Sequence, residues 1–292
     1  SDYAAGVRRM LDGERGAGPG RGSGCPGCRA GTQPGGRHKK RPWATRGVPA
    51  WAAAAWLRTI GAMSLHAPGS AHACPVCLEA APRPFMHVDG RDYLRCDTCE
   101  ATFVPPAQRP TVADERAEYL LHRNDADDPA YLRFLSRLAA PLLQRLPPGA
   151  EGLDHGCGPG PALATMLRAA GHRVALYDPF FAPDTTALAH TYDFITCTEV
   201  VEHFHDPAAE FARFDALLRP GGWLGVMTCF QTDDARFAAW HYRRDPTHVV
   251  FYRESTFRRI ARRFGWRCEI PCKDVVLMHK PATAHDCRPC GP

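Results

Sequence analysis

Three glycines within five residues, Gly156-Cys157-Gly158-Pro159-Gly160, constrain the fold of this chain more than any other feature. They follow the short apolar run Gly152–Asp154 and precede a helical stretch beginning near Ala162. Glycine lets a backbone turn sharply and approach a ligand closely. The helix start beyond the turn adds free N–H donors and the positive end of a dipole. The spacing is G-x-G-x-G, and residue 161 is Pro, so it is not the G-x-G-x-x-G of a dinucleotide turn. No Gly-Lys-Ser/Thr follows, which excludes a nucleoside triphosphate loop. Asp178 lies 22 residues after Gly156, at the end of the apolar run Val174–Tyr177. An acid at that place accepts hydrogen bonds from ribose hydroxyls. Turn and acid together predict a nucleoside-bearing ligand that lacks a pyrophosphate.

Strand-like and helix-like runs alternate from Gly152 onward, which predicts an α/β fold with a parallel sheet. The predicted strands are Gly152–Asp154, Val174–Tyr177, Phe194–Thr198, Trp223–Met227, Arg267–Ile270 and Val275–His279. Helices are predicted near Ala162–Ala170, Ala208–Leu218 and Glu254–Phe264. Upstream, Asp128-Pro129 is a helix start, because Asp caps free N–H groups and Pro suits the first turn. Tyr131, Phe134, Leu135, Leu138, Leu142 and Leu146 then recur at helical spacing.

Asp154-x-Gly156-x-Gly158-x-Gly160 resembles the first motif of class I S-adenosylmethionine-dependent methyltransferases. Further likenesses follow in order. Tyr177-Asp178 is similar to the acidic end of that family's second strand. The run from Tyr192 to His203 is similar to its fourth-strand motif, and Leu217-Leu218-Arg219-Pro220-Gly221-Gly222 to the turn before its fifth strand. The resemblance spans roughly residues 150–280. It implies a Rossmann-like, doubly wound, mostly parallel sheet with S-adenosylmethionine as cofactor. The cofactor-binding residues it implies are Asp154, Gly156, Gly158, Gly160, Asp178, Thr198 and Glu199. Only 14 residues separate Asp178 from Asp193, so the third-strand region is expected to be shortened or missing. Phe180 and the Cys197–Glu199 stretch are the local substitutes for the adenine contacts that strand would bring.

Cys74-x-x-Cys77 and Cys96-x-x-Cys99, 18 residues apart, fit a tetrahedral four-thiolate zinc site. Such a site is coordinatively closed, so its expected role is structural. The segment between reads as a hairpin around Asp89-Gly90. A thioredoxin-type redox pair would sit at a strand–helix junction and need no second pair. Two more C-x-x-C pairs, Cys25/Cys28 and Cys287/Cys290, have no partner pair nearby.

The whole chain carries a net charge of +5, but unevenly. Residues 1–62 hold 11 Lys and Arg against 3 Asp and Glu, together with 13 of the 26 glycines. The remainder holds 25 against 28, a net of −3, which excludes a uniformly basic nucleic-acid binder. The leader has no sustained period and reads as disordered, with Met63 the expected native start. The expected organisation is the leader at 1–62, a zinc-ribbon-like module at 63–106 and a helical lid or linker at 107–146. The methyltransferase domain then spans 147–280, and a loose tail 281–292. The longest apolar run, Ala50–Leu57, is too short to span a bilayer, and no signal peptide is visible, so the expected compartment is cytoplasmic.

In an open α/β sheet the site lies beyond the carboxyl ends of the strands. That points to Glu199, Glu202, His203, Cys229 and Phe230. The loop from Trp240 to His248 is too dense in aromatic, His and charged residues to be mere connection. His248 is the expected base, with His203, His241, Tyr242 and Asp245 near the acceptor. Tyr119 and Tyr131 are expected in the core, on helices that cover the cofactor. Arg258, Arg259, Arg262, Arg263 and Arg267 are expected to form a solvated face. The leading expectation is methylation of a small molecule. One alternative is an rRNA or tRNA acceptor gripped by the zinc ribbon, against which stands the body's net negative charge. The other is a non-catalytic zinc-ribbon binding protein with a degenerate methyltransferase domain.

Overall fold

The computed structural model describes residues 73–79, 81–121 and 128–282. The elements begin with β1 (Arg83–Val88), β2 (Arg91–Arg95), β3 (Thr102–Phe103), α1 (Val112–Tyr119) and α2 (Pro129–Leu143). There follow β4 (Glu151–His155), α3 (Ala162–Ala169), β5 (Arg173–Tyr177), β6 (Tyr192–Thr198), α4 (Pro207–Leu217) and β7 (Leu218–Met227). Last come β8 (Val250–Phe251), α5 (Glu254–Phe264), β9 (Arg267–Cys272) and β10 (Val275–His279). The predicted leader at 1–62, Met63, the outlying pairs Cys25/Cys28 and Cys287/Cys290, and most of the predicted tail lie outside the described residues.

The main sheet has six strands in the order β5-β4-β6-β7-β10-β9. β4, β5, β6 and β7 run parallel, while β10 is antiparallel to both its neighbours. Both faces are covered, as a doubly wound sheet requires. Phe194, Leu277, Val275 and Met227 pack against α2 and α3 on one face. Their alternating neighbours Ile195, Val276 and Met278 pack against α4 and α5 on the other. Between β5 and β6 there is only an isolated bridge, Asp178 to Ala182, and a 3-10 turn at Thr185–Ala189. The expected loss of the third-strand region therefore holds among the described residues, and β5 is an edge strand.

The N-terminal segment forms a second sheet, β1-β2-β3-β8. Its hairpin turns at Asp89 (φ +52°) and Gly90 (φ +73°), the two left-handed positions a type I′ turn needs. The fourth strand is supplied from far along the chain: Phe103 pairs Val250 and Thr102 pairs Phe251. The Cys-rich segment is thus sewn to the strand that begins two residues after His248. α1 opens with a Thr111/Asp114 capping box, and Asp128 accepts from the Ala130 N–H at the start of α2, as Asp-Pro predicted. No described helix is long and apolar enough to cross a membrane.

Candidate active site

A cavity of about 620 Å³ opens at the carboxyl ends of β4, β5 and β6. Gly156 and Gly158 line it with φ of +80° and +62°. A Cβ at Gly156 would stand 2.4 Å from Cγ2 of Val200, so only glycine lets the turn close onto the strand-end residue opposite. The Gly156 N–H donates to the Tyr177 carbonyl at 2.7 Å. Asp178 ties the turn together. One carboxylate oxygen accepts from the Gly158 N–H at 3.0 Å, and the other from the N–H groups of Phe180 and Phe181 at 2.9 and 3.0 Å. Oδ1 thus has both lone pairs engaged while Oδ2 keeps one, so the acid is fixed yet Oδ2 can still accept from a ligand hydroxyl.

Asp154 does not line the cavity. It sits buried behind the turn, accepting from the Thr196 hydroxyl at 2.8 Å, and burial raises its carboxyl to about 6. Gly160 lies beyond the cavity wall, whereas Thr198 and Glu199 line it. Glu199 adopts φ +52°, a strained conformation for a residue with a side chain, and its N–H donates to the Met227 carbonyl at 2.8 Å. Burial and then the neighbouring Glu202 push its carboxyl up to about 9. The Tyr242 hydroxyl lies 2.5 Å from Glu202 Oε1, 3.1 Å from Glu199 Oε2 and 3.0 Å from the Thr228 hydroxyl. Thr228 in turn donates to Glu202 Oε2 at 2.9 Å. Tyr242 therefore stands behind the wall as a clasp between two acids.

Two histidines complete this side. His248 Nδ1 lies 2.7 Å from the Tyr242 carbonyl, and His203 Nδ1 lies 3.1 Å from the Thr247 carbonyl. A carbonyl can only accept, so both Nδ1 atoms carry the proton and both Nε2 atoms keep a lone pair. The rings meet edge to face at 4.7 Å, and both line the cavity. Burial pulls His203 down to about 4. Asp245 Oδ2 stands 3.7 Å from His248 Nε2. Burial alone would raise the Asp245 carboxyl, but His248 and hydrogen bonds from Thr247 hold it below the usual range. His241 is exposed and does not line the cavity. Cys229 and Phe230 are not among the lining residues either.

Tyr119 and Tyr131 both line the cavity and are not core residues. Tyr119 packs edge-on against His203 at 5.2 Å and against Phe180 at 5.4 Å, so α1 forms part of the cavity wall. Sequence reading passed over His155, Glu210 and Arg213, which also line the cavity. His155 did carry a signal, as a polar residue closing an apolar strand.

At the other site, Cys74 Sγ lies 3.6 Å from Cys99 Sγ, Cys77 Sγ lies 3.6 Å from Cys96 Sγ, and all four sulfurs fall within 4.8 Å of one another. A disulfide would need about 2.05 Å. A tetrahedron with metal–sulfur bonds of about 2.3 Å has edges near 3.8 Å, so the spacing fits a closed four-sulfur metal site. The two pairs form matched turns: Leu78 (φ +59°) and Glu100 (φ +60°) donate to the carbonyls of Cys74 and Cys96 at 2.9 and 2.8 Å. The turns seat on α4 and α5, the helices that cover one face of the main sheet. Pro75 accepts from the Ala208 N–H at 3.1 Å, the Cys99 carbonyl from Thr256 at 2.7 Å, and the Val76 carbonyl from Arg263 at 3.4 Å. Arg259 pairs with Glu79. Arg258, Arg262, Arg263 and Arg267 are exposed, as a solvated face requires, while Arg259 and Arg263 also reach the Cys turns.

The model of a family described as "Methyltransferase domain" matches residues 125–269. No curated protein matches the chain. Among solved structures, the chain is similar to the 1,6-didemethyltoxoflavin-N1-methyltransferase of Burkholderia thailandensis, solved with 1,6-didemethyltoxoflavin and S-adenosylhomocysteine. The identity is 18%, over 68% of this chain and 99% of that one, with a TM-score of 0.41. An O-methyltransferase family protein from Burkholderia thailandensis is 15% identical over 57% of this chain and 67% of its own, with a TM-score of 0.38. Coclaurine N-methyltransferase, solved with N-methylheliamine and S-adenosylhomocysteine, is 16% identical over 46% of this chain and 50% of its own, with a TM-score of 0.33. Residues 125–269, just under half of the chain, are similar to that methyltransferase-domain family, and the Gly156/Gly158 turn and Asp178 lie within them.

Proposed function

We propose that the protein transfers a methyl group from S-adenosylmethionine to a small-molecule acceptor held in the same cavity. The observation that carries this reading is the sharing of one cavity by the Gly156/Gly158 turn, Asp178 and the two oriented histidines. Its volume of about 620 Å³ lies in the range of small-molecule sites, and the chain beyond residue 62 is net negative. S-adenosylmethionine supplies a methyl already activated on a sulfonium, so positioning carries much of the rate. Gly156 and Gly158 bring backbone close to the ligand, Asp178 accepts from the ribose hydroxyls, and Thr198 and Glu199 close the wall. Asp154 supports the turn from behind, and Gly160 leads it into α3. His248 Nε2 takes the acceptor's proton where the acceptor carries one, and the Asp245 carboxylate steadies the imidazolium that forms. His203, neutral, shapes the acceptor side, and Tyr242 holds the two glutamates behind it.

The four sulfurs of Cys74, Cys77, Cys96 and Cys99 hold a structural zinc ion. The chain's described cysteines are all free, which suits a reducing compartment, and we place the protein in the cytoplasm. The test is a metabolite extract offered labelled S-adenosylmethionine, with and without RNase. Label in a small molecule that survives RNase is expected; label lost on RNase treatment would move the acceptor to RNA. His248→Ala is expected to lower kcat by about 10²–10⁴-fold with cofactor affinity unchanged, and an unchanged kcat would remove His248 from the reaction.

A further inference from the structure

We infer that His155, Glu210 and Arg213 form the purine-recognising end of the cofactor site, replacing the contacts that a third strand would bring. The inference rests on the S-adenosylmethionine reading above. β5 is an edge strand among the described residues, so base contacts must come from elsewhere. His155 pairs directly with Tyr177 across β4 and β5, one residue from Asp178, and its side chain is 5% exposed. Neither of its ring nitrogens has a hydrogen-bond partner, although both are buried. Such a group costs about 1–3 kcal/mol when left unpaired, so a ligand atom that bonds it from the cavity recovers that cost. The ring is held by Tyr177, Phe204 and Phe214 at 5.2, 6.1 and 4.9 Å between centroids.

Glu210 stands opposite, with a carboxylate oxygen 3.8 Å from His155 Nε2. Arg213 fixes it, reaching both oxygens at 2.8 and 2.7 Å. The wall therefore presents an anionic acceptor beside a neutral imidazole able to donate. An adenine edge presents the complement, an exocyclic amine that donates beside a ring nitrogen that accepts. A 6-oxo purine would set its oxygen against the Glu210 carboxylate.

The experiment is calorimetric titration of S-adenosylhomocysteine and of its 6-oxo counterpart, S-inosylhomocysteine, into the full chain. Wild type, Glu210→Gln and His155→Phe are compared, with Tm measured for each. Wild type is expected to prefer the 6-amino ligand by about 10-fold or more, the scale of one lost charge-assisted hydrogen bond. Glu210→Gln keeps an oxygen for Arg213 and offers an amide to a 6-oxo group, so the preference should collapse to within about 3-fold. His155→Phe should weaken S-adenosylhomocysteine while raising the Tm of the free protein, because the orphaned nitrogens are gone. Variants that fold and retain both the wild-type affinity and the wild-type preference would overturn the assignment while leaving the cofactor reading intact. A wild type that binds neither ligand would overturn both.

Discussion

Glu199 shows how far burial sets the chemistry of this site. Its carboxyl is raised to about 9 by burial and by Glu202, so it is neutral in the folded protein at neutral pH. A group raised on folding stabilises fully below its unfolded value of 4.5, and that contribution is lost as pH rises through about 9. Glu199→Gln mimics the neutral form. It is expected to flatten the fall of Tm between pH 7 and 9, read by thermal melts across that range; an unchanged slope would contradict the assignment. His203 and His155 act in the opposite direction. Burial lowers them to about 4 and about 3, so the unfolded chain binds protons the folded one refuses, and stability drops as pH falls below about 6.5.

At the scale of elements, the β4 turn fixes the cavity through backbone conformation. Gly156→Ala must place a Cβ at φ +80° and 2.4 Å from Val200 Cγ2. The left-handed conformation alone costs about 1–2 kcal/mol, and the clash adds to it. A Tm loss of several degrees and cofactor affinity weakened at least about 10-fold are expected; calorimetry showing wild-type affinity would deny the turn its place. This element was legible because a G-x-G-x-G between apolar and helical runs has few physical solutions. The strand from Val275 to His279 and the helix from Glu254 to Phe264 form over the residues their patterns marked. The His155 niche was not legible. A histidine inside an apolar strand says nothing of Glu210 and Arg213, which lie 55 and 58 residues later and meet it only through the packing of α4 on the sheet. Likewise Tyr131 carries core-like spacing, and only the packing of α2 turns it to the cavity, as that of α1 does Tyr119.

At the scale of the molecule, the Cys turns and the loop from Trp240 to His248 are parts of one framework. β8 completes the N-terminal sheet, and Val249, beside His248, is held at both ends: its carbonyl accepts from Val104 and its N–H donates to the Glu202 carbonyl, each at 2.9 Å. Arg243, 3% exposed, reaches Asp89 of the hairpin turn at 2.6 Å and the Tyr93 hydroxyl at 3.3 Å from the same loop. If the four sulfurs hold zinc as proposed, its removal should therefore disturb the loop from Trp240 to His248. The purified protein is expected to carry one zinc per chain by elemental analysis. Cys96→Ser should lower both metal content and Tm, and should reduce turnover more than cofactor affinity. Full zinc content in that variant would contradict the four-sulfur site.

The central claim is that the Gly156/Gly158 turn and Asp178 hold S-adenosylmethionine. Calorimetric titration of S-adenosylhomocysteine into wild type and Asp178→Asn tests it most directly. Saturable one-to-one binding to wild type is predicted, weakened by about 10-fold or more in the variant as charge-assisted bonds to the ribose hydroxyls are lost. No binding to wild type, or equal affinity in a folded Asp178→Asn protein, would contradict it.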